Sequence, residues 1–214
     1  MRLLPRETLI KTNRLDQPSW NYRGILGLIQ RRRFSMAVRL LGPRSYTRLL
    51  EVGYGSGIFM PELSAHCTSL YGIDTHDKSA EVTAILAEQG VTARLLVASV
   101  AHLPFESGSF DAIVVVSSLE FVDEIERATA EMSRVLRPGG AAIVITPGSN
   151  PILDSGLKLL TGETAEDTFR GRRQLVIPAL RRSFVVDKQE RFPRVPLWLY
   201  TGVRLRTRGA TPSR

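Results

Sequence analysis

Short apolar runs alternate with helix-length amphipathic stretches through the middle of the chain, and this alternation limits the possible folds more than any other feature. Five runs predict strands: 47–53, 69–75, 93–99, 110–118 and 141–148. Three stretches predict helices between them: 58–67, 78–90 and 123–140. The run FDAIVVVSS does not alternate with polar residues, which is typical of a strand covered on both faces. The pattern therefore predicts an α/β protein with a doubly wound, mostly parallel sheet and helices on both faces.

The two ends of the chain lie outside this repeat. Residues 1–46 include WNYRGILGLIQRRRFSMAVRLLG, which predicts one or two helices. Residues 183–192 and 197–207 predict a closing antiparallel pair of strands. Because no linker interrupts the 214 residues, we expect one domain with an N-terminal helical cap (1–46), a core (47–148) and a C-terminal segment (149–214).

The charges are distributed unevenly along the chain. Residues 1–48 contain eleven Lys or Arg and two Asp or Glu, residues 49–169 contain six and seventeen, and residues 170–214 contain twelve and two. An acidic middle is therefore flanked by two basic arms. The arms could neutralise the acidic body on folding, or they could form a face for an anionic substrate, a membrane or a nucleic acid.

Cysteine content and hydropathy restrict the cellular setting. The single cysteine, Cys67, excludes an intramolecular disulfide and a cysteine-cluster metal site, and it suits a reducing cytoplasm. The longest apolar runs are too short to cross a bilayer, and the N-terminus lacks the unbroken apolar region of a secretion signal. We therefore expect a cytoplasmic protein, whose oligomeric state the sequence leaves open.

The stretch LLEVGYGSGIF, residues 49–59, marks the expected ligand site. Three glycines follow the first predicted strand and open the next helix, where free N–H groups and close backbone approach suit a nucleotide-like ligand. A dinucleotide site would need a glycine at Ile58, and a phosphate-binding P-loop would need Gly-Lys-Ser/Thr, which is absent here. Ligands of doubly wound sheets bind at the carboxyl ends of the strands, so the loops after each strand are the places to inspect.

This glycine stretch resembles the first motif of class I S-adenosylmethionine-dependent methyltransferases, in which an acid precedes G-x-G-x-G. YGIDTHD at the end of the second strand, the LPF…FD run at 103–111 and RVLRPGG at 134–140 resemble further motifs of the family in the same order. The resemblance covers residues 47–148 and is strongest to the small bacterial type that includes ubiquinone and menaquinone methyltransferases. It implies a Rossmann-like sheet of seven strands, mostly parallel with a C-terminal antiparallel strand, and S-adenosylmethionine as cofactor.

The resemblance also implies a set of cofactor-binding residues: Glu51, Gly53, Tyr54, Gly55, Gly57, Asp74, Thr75, Ser99, Val100 and Ser117. Gly53 and Gly55 are expected under the methionine part of the cofactor, whereas Gly57 is expected mainly to permit close packing of a helix on a strand. Asp74, which lies 21 residues after Gly53, is expected to accept hydrogen bonds from both ribose hydroxyls.

Three of these residues have open alternatives. Tyr54 is either a core aromatic or a wall of the methyl-donor end of the site. Glu51 either binds the cofactor's ammonium end or only caps the glycine loop. Ser99 stands where the family usually has an aspartate that accepts from the adenine amino group, so a weaker hydrogen bond is expected there, with support from the backbone N–H of Val100.

Candidate catalytic and substrate-binding residues rest on weaker signals. Glu120, after the fourth strand, is the best-placed general base and a candidate substrate ligand, but it could be a surface acid. His102 is the next candidate base, and His76 is expected to be a solvated loop residue. Trp20, Tyr22 and Arg23 could close over the methionine end of the site, where Trp20 and Tyr22 are candidate substrate contacts, or they could simply pack on the sheet edge. No metal constellation is visible in the sequence.

The expected function is methyl transfer to a small-molecule acceptor by in-line displacement. SSLEF after the fourth strand lacks the Asn/Asp-Pro-Pro-aromatic motif of base methyltransferases, so a nucleic-acid partner is not expected. Two alternatives stay open: action on a lipid or quinone at a membrane surface, and a non-catalytic binding module. GILGLIQRRRF and PLWLYTGVRLR favour peripheral membrane contact, because they combine apolar or aromatic residues with arginines.

Overall fold

The computed structural model describes residues 1–13, 17–148, 171–193 and 198–208, and within them a seven-stranded sheet of order β3-β2-β1-β4-β5-β7-β6. The strands are β1 (Tyr46–Val52), β2 (Cys67–Asp74), β3 (Ala93–Val97), β4 (Phe110–Val116), β5 (Leu136–Pro147), β6 (Phe184–Phe192) and β7 (Tyr200–Thr207). β1 to β5 are parallel, and β7 lies antiparallel between β5 and β6. The predicted fold class, including the closing antiparallel strand, is confirmed.

Helices cover both faces of the sheet. They are α1 (Gly24–Leu41), α2 (Met60–Leu63), α3 (Ser79–Glu88), α4 (Ile125–Val135) and α5 (Arg173–Ser183), with 3₁₀ helices at Arg6–Thr8, Pro18–Tyr22, Ser64–His66 and Leu119–Phe121. α1 and α3 pack on one face of the sheet, and α4 and α5 on the other. Val114 and Val115 are fully buried on opposite faces of β4, which is why this strand does not alternate in sequence.

The strand order reverses direction between β1 and β4. The chain builds outward from β1 through β2 to β3, and then returns to place β4 on the other side of β1. The carboxyl ends of β1, β2 and β4 therefore lie side by side, at the position where doubly wound sheets bind ligands. We call this side of the sheet the carboxyl edge.

Two predicted helices are shorter than the sequence pattern suggested. The predicted helix at 58–67 ends as α2 and a 3₁₀ turn, because Cys67 already pairs with Tyr46 as the first residue of β2. The predicted helix at 123–140 ends at Val135, since the segment around Gly139, with φ of +79°, bulges into the start of β5.

The basic arms pair with acids in several places. Arg182 bridges to Glu126 at 2.9 Å, and Arg172 pairs with Asp123. On β7, Arg204 donates to the carbonyls of Leu40 and Leu41 at 2.7 and 3.0 Å, where it caps the negative end of the α1 dipole. Arg204 is one of the two arginines in PLWLYTGVRLR, a stretch whose sequence favoured membrane contact. In the structure this arginine instead stabilises the end of α1. Within the described residues, no helix has the length and hydropathy needed to cross a membrane.

Candidate active site

The glycine loop after β1 is held in a conformation that L-residues with side chains rarely adopt. Gly53, Gly55 and Gly57 have φ of +74°, +52° and +74°. A Cβ on Gly53 would lie 2.5 Å from the Cβ of Ser118, and one on Gly57 would lie 2.9 Å from Val82 on α3. The expected packing role of Gly57 is thus visible in the structure. The close approach of Ser118 to Gly53 has no signal in the sequence, because these residues lie 65 positions apart.

Asp74, the last residue of β2, anchors this loop. Its Oδ2 accepts from the N–H of Gly55 at 2.8 Å, and its Oδ1 accepts from the N–H of Thr75 at 2.7 Å. Each carboxylate oxygen accepts more than one hydrogen bond, so both retain capacity for a ribose hydroxyl. The side chain is largely buried, whereas Thr75 is exposed. The carboxylate therefore positions the glycine loop, and its contact with the ribose stays a prediction.

His76 is buried, which corrects the expectation of a solvated loop residue. Its Nδ1 accepts from the N–H of Lys78 at 3.1 Å, so the proton lies on Nε2, which donates to the carbonyl of Gly55 at 3.0 Å. The edge of the imidazole meets the ring of Tyr54 with centroids 4.9 Å apart. His76 and Asp74 thus hold the carbonyl and the N–H of the same glycine.

Tyr54 lies in the core beneath the loop. Its side chain is 3% exposed and packs against Gly72 of β2, where an added Cβ would lie 2.9 Å from the tyrosine ring. Burial, reinforced by the nearby charge of Asp74, raises the pKa of the Tyr54 phenol. This burial favours the interpretation of Tyr54 as a core aromatic residue. Contact of Tyr54 with a cofactor stays a prediction.

Glu51 is a buried acid on β1. Burial, and then the negative charge of Asp74, raise the pKa of the Glu51 carboxyl well above its ordinary value. Its Oε2 has no hydrogen-bond partner among the described residues. A cation bound beside Glu51 and Asp74 would relieve both the desolvation and the repulsion between these two acids.

The chain turns sharply where β4 ends. Ser117 has φ of +55°, an uncommon conformation for a residue with a side chain, and its N–H donates to the carbonyl of Ile145 at 2.8 Å. Ser118 then donates through Oγ to the carbonyl of Val52 at 3.0 Å. The turn joins the ends of β4, β5 and β1, and it directs the following residues back into the protein.

Glu120 follows this turn and is completely buried, so the alternative of a surface acid is wrong. Neither carboxylate oxygen has a hydrogen-bond partner among the described residues. Burial raises the pKa of Glu120 to about 7. The increase is opposed by its own backbone N–H, which acts on the carboxylate without meeting hydrogen-bond geometry, and by the positive charges of Arg33 and Arg173. A carboxylate with a pKa near neutrality can accept or release a proton under physiological conditions.

Residues from three other elements interact electrostatically with Glu120. Arg33 comes from α1, Arg173 from α5, and Tyr200 begins β7 with its hydroxyl 3.3 Å from Oε1 of Gln30. The pKa of the Tyr200 phenol is raised, mainly by burial. The positive charge of Arg33 opposes this increase, and the negative charge of Glu120 adds to it. Arg173 also donates to the carbonyl of Gly148 at 3.0 Å. The sequence pattern could not reveal this cluster, since its members are far apart in the chain.

Comparison with known proteins agrees with these features. A model of the methyltransferase domain matches residues 50–144. The chain is 34% identical over 101 residues to phosphatidylethanolamine N-methyltransferase of Cereibacter sphaeroides, covering 46% of this chain and 49% of that protein. It is 30% identical over 131 residues to the ubiquinone/menaquinone biosynthesis C-methyltransferase UbiE of a Geobacter species, covering 58% and 55%. The chain thus spans about half the length of these relatives.

The whole fold also matches a solved structure. N-methyltransferase NodS of Bradyrhizobium japonicum, in complex with S-adenosyl-L-homocysteine, superposes with a TM-score of 0.68 at 18% identity over 91% of this chain and 94% of that one. The chain is thus similar in sequence to methyltransferases over residues 50–144, and it shares the fold of NodS. The family resemblance predicted from the motifs is confirmed.

The donor set at the carboxyl edge fits a cationic cofactor. Glu51, Asp74 and Glu120 bring three carboxyl groups to the ends of β1, β2 and β4. Buried oxygens without partners among the described residues include Glu51 Oε2, Ser117 Oγ and both oxygens of Glu120. Each buried polar atom left without a partner costs about 1–3 kcal/mol, so a ligand that supplies donors or positive charge would stabilise this arrangement.

The loop after β3 forms the far end of the expected cofactor site. Val100 is buried, whereas Ser99 and His102 are exposed, and Ser99 Oγ accepts from the N–H of Ala101 at 3.2 Å. The loop is tied to α4 by Arg134, which donates to the carbonyl of Leu103 at 3.1 Å. His102 lies in the loop after β3, and β1 and β2 separate that strand from β4 in the sheet. A role of His102 as base stays a prediction.

The two aromatic residues predicted to contact the substrate lie in the 3₁₀ helix Pro18–Tyr22. The Tyr22 hydroxyl donates to the carbonyl of Leu4, and the Leu4 N–H donates to the carbonyl of Ile58 at 3.1 Å. Tyr22 thus ties the N-terminal segment to the end of the glycine stretch. Trp20 is half-buried. A substrate role for either residue stays a prediction. We also expect the N-terminal helices and the segment 149–183 to cover the face where the substrate enters, and residues 149–170 of that segment lie outside the described residues.

Proposed function

We propose that this protein transfers a methyl group from S-adenosylmethionine to a small lipophilic acceptor, with Glu120 as general base. The observation that carries the proposal is a fully buried carboxyl group with two unpartnered oxygens and a pKa of about 7. Glu120 lies in the turn that follows β4. In the sheet, β4 is adjacent to β1, the strand that leads into the glycine loop. The match of residues 50–144 to a methyltransferase domain supports the reaction class.

Residues of the glycine loop and the ends of β1 and β2 would hold the cofactor. Asp74 would accept from the ribose hydroxyls, the backbone of Gly53 and Gly55 would admit the methionine part, and Glu51 would bind the ammonium group. When bound, S-adenosylmethionine supplies an electrophilic methyl group on a sulfonium with a neutral leaving group. The protein's task is then to orient the acceptor and to manage its proton.

Glu120 is suited to the second task. A hydroxyl, amine or acidic C–H acceptor loses a proton as its new bond to the methyl carbon forms, and the carboxylate of Glu120 would take that proton. Arg33 and Arg173 lower the pKa of this buried carboxyl, so a substantial fraction is ionised at neutral pH. Without them, burial alone would keep the group protonated and unable to act as a base.

The lipophilic character of the acceptor rests on two supports. The relatives named above are a phosphatidylethanolamine methyltransferase and a ubiquinone/menaquinone biosynthesis methyltransferase. In this chain, the neighbours of Glu120 in sequence include the buried Leu119 and the partly exposed Phe121, and buried Tyr200 lies in the same charge cluster. An apolar acceptor would keep water away from the reacting atoms and strengthen the contribution of Glu120.

The test separates cofactor binding from transfer. Titration with S-adenosylhomocysteine in a calorimeter should show binding that Asp74→Ala abolishes and Thr75→Ala, at an exposed neighbour, largely retains. Incubation with methyl-tritiated S-adenosylmethionine and extracted bacterial lipids should place label in the organic phase. Because general-base catalysis contributes typically 10²–10⁴-fold, Glu120→Gln should lower that transfer by about 100-fold or more.

Three outcomes would contradict the proposal at different points. Absence of S-adenosylhomocysteine binding would favour a non-catalytic module. Cofactor binding with label only in water-soluble products would refute the lipophilic acceptor. Full transfer by Glu120→Gln would refute the assignment of the base.

A further inference from the structure

We propose that the surface around Glu120 docks on an anionic lipid bilayer. This surface, which we call the rim, consists of exposed residues from three places: Arg23, Ile25, Leu28 and Arg32 at the N-cap and in the first half of α1, Phe121 in the turn after β4, and Leu175 on α5. The inference concerns where the protein sits and not the reaction, so it can be tested without turnover.

The rim collects most of the exposed large apolar side chains of the described residues. These are six in number, and four lie here: Ile25 is 77% exposed, Leu28 58%, Leu175 51% and Phe121 38%. Single exposed apolar residues are ordinary on a soluble protein. Their concentration on the three elements that flank one buried functional group is what requires an explanation.

The topology places these residues on the same side of the molecule. α1 leads into β1 and α5 leads into β6, and both strands start at the edge opposite the carboxyl edge. The first turns of α1 and α5 therefore lie at the carboxyl edge, where the turn with Phe121 also lies. Arg33 of α1 and Arg173 of α5 both act on the charge of Glu120, so the two helices flank the turn that carries it.

One stripe of α1 is both apolar and basic. Ile25, Leu28 and Arg32 follow one another at spacings of three and four residues, so they share a face of the helix. Other residues of α1, such as Gly27 and Phe34, are buried against the protein. An outward face of a soluble helix is normally polar, whereas apolar residues flanked by arginines are typical of helices that lie in the interface of a membrane.

The charge of this part of the rim is positive. Arg23 and Arg32 are exposed and make no ion pair within the described part of the chain. Arg23 also stands at the N-cap of α1, where a positive charge opposes the helix dipole, and the first turn has no acid. Stability of the helix therefore does not account for this arginine. An anionic bilayer complements it.

The acids on the other side of the rim are already paired. Asp123 pairs with Arg172, and Glu124 lies 3.5 Å from a guanidinium nitrogen of Arg127. They do not cancel the charge of Arg23 and Arg32. A bilayer seated here would meet basic and apolar groups together, directly outside the elements that flank Glu120.

Vesicle sedimentation tests the proposal with the intact chain. The protein should pellet with phosphatidylcholine vesicles that contain phosphatidylglycerol at low salt, and much less with pure phosphatidylcholine or in high salt. Near an anionic surface, each arginine contributes about a fivefold increase in partitioning. Arg23→Gln combined with Arg32→Gln should therefore weaken binding by roughly 25-fold, and Leu28→Asn by about tenfold.

Matched controls use the opposite ends of the same two helices. Arg44 follows α1 and Arg181 lies in the last turn of α5, and both are exposed at the other edge of the sheet. The double change of Arg44→Gln and Arg181→Gln removes the same charge and should leave binding nearly unchanged. Val97→Asn, at a 54% exposed apolar residue of β3, is the control for Leu28→Asn.

The proposal is overturned if the protein does not pellet with anionic vesicles at low salt, which would leave a protein partner as the occupant of the rim. It is equally overturned if the control pair weakens binding as much as the rim pair, because net charge would then explain the effect. Equal melting temperatures of all variants exclude a folding defect. S-adenosylhomocysteine titration of the same samples reports separately on the proposed methyltransferase function.

Discussion

Replacing Glu120 with glutamine should make the free energy of unfolding less dependent on pH. Burial raises the pKa of Glu120 to about 7 in the folded protein, from an ordinary value of 4.5. The folded state therefore binds this proton more tightly than the unfolded state. The contribution of Glu120 to stability is therefore greatest below pH 4.5 and is lost as the pH rises through about 7, because ionisation is easier in the unfolded chain.

The size of the effect follows from the two values. Each unit of difference between the folded and unfolded pKa of Glu120 changes the free energy of unfolding by about 1.4 kcal/mol. Ionisation of Glu120 should therefore destabilise the wild type by about 3 kcal/mol at pH 8. Glutamine has nearly the same size and no charge. The difference in free energy of unfolding between the variant and the wild type should therefore shift by about 3 kcal/mol in favour of the variant between pH 4.5 and 8.

Urea unfolding at a series of pH values measures this difference directly. Trp20 and Trp198 provide intrinsic fluorescence, and the comparison between variants cancels the other titrating groups. Glu88→Gln, at an exposed position of α3, is the matched control and should parallel the wild type. The reasoning fails if the wild type and Glu120→Gln differ by a constant amount at every pH, since Glu120 would then titrate alike in both states.

Two further predictions concern the glycine loop and the adenine end of the site. Gly53→Ala should destabilise the protein by roughly 2–4 kcal/mol, because its Cβ would lie 2.5 Å from that of Ser118 and its φ is +74°. Adding Ser118→Gly should recover part of that loss in thermal unfolding, and no recovery would show that the backbone conformation alone is limiting. Ser99→Asp should tighten S-adenosylhomocysteine binding about fivefold in calorimetry, since a charge-assisted hydrogen bond is stronger by about 1 kcal/mol; unchanged or weaker binding would refute the proposed adenine contact.

Some of the site follows from local sequence. The glycine spacing, Asp74 at the end of β2 and the apolar runs of β1 and β4 are patterns within a few residues of one another, and backbone conformation and strand burial depend on such patterns. The family resemblance and the sheet class could therefore be predicted. The exact ends of the helices could not, since pairing of Cys67 with Tyr46 and the bulge at Gly139 are decided by neighbouring strands.

The sequence by itself determined a doubly wound sheet with a glycine loop and an acid at the end of the second strand. Only the tertiary structure decided that His76 and Asp74 hold the same glycine, and that Glu120 is buried within reach of the charges of Arg33 and Arg173. The physical reason is that burial and electrostatic environment arise from residues distant in the chain. A glutamate in SSLEF has the same local sequence whether it is solvated with an ordinary pKa or desolvated with a pKa near 7.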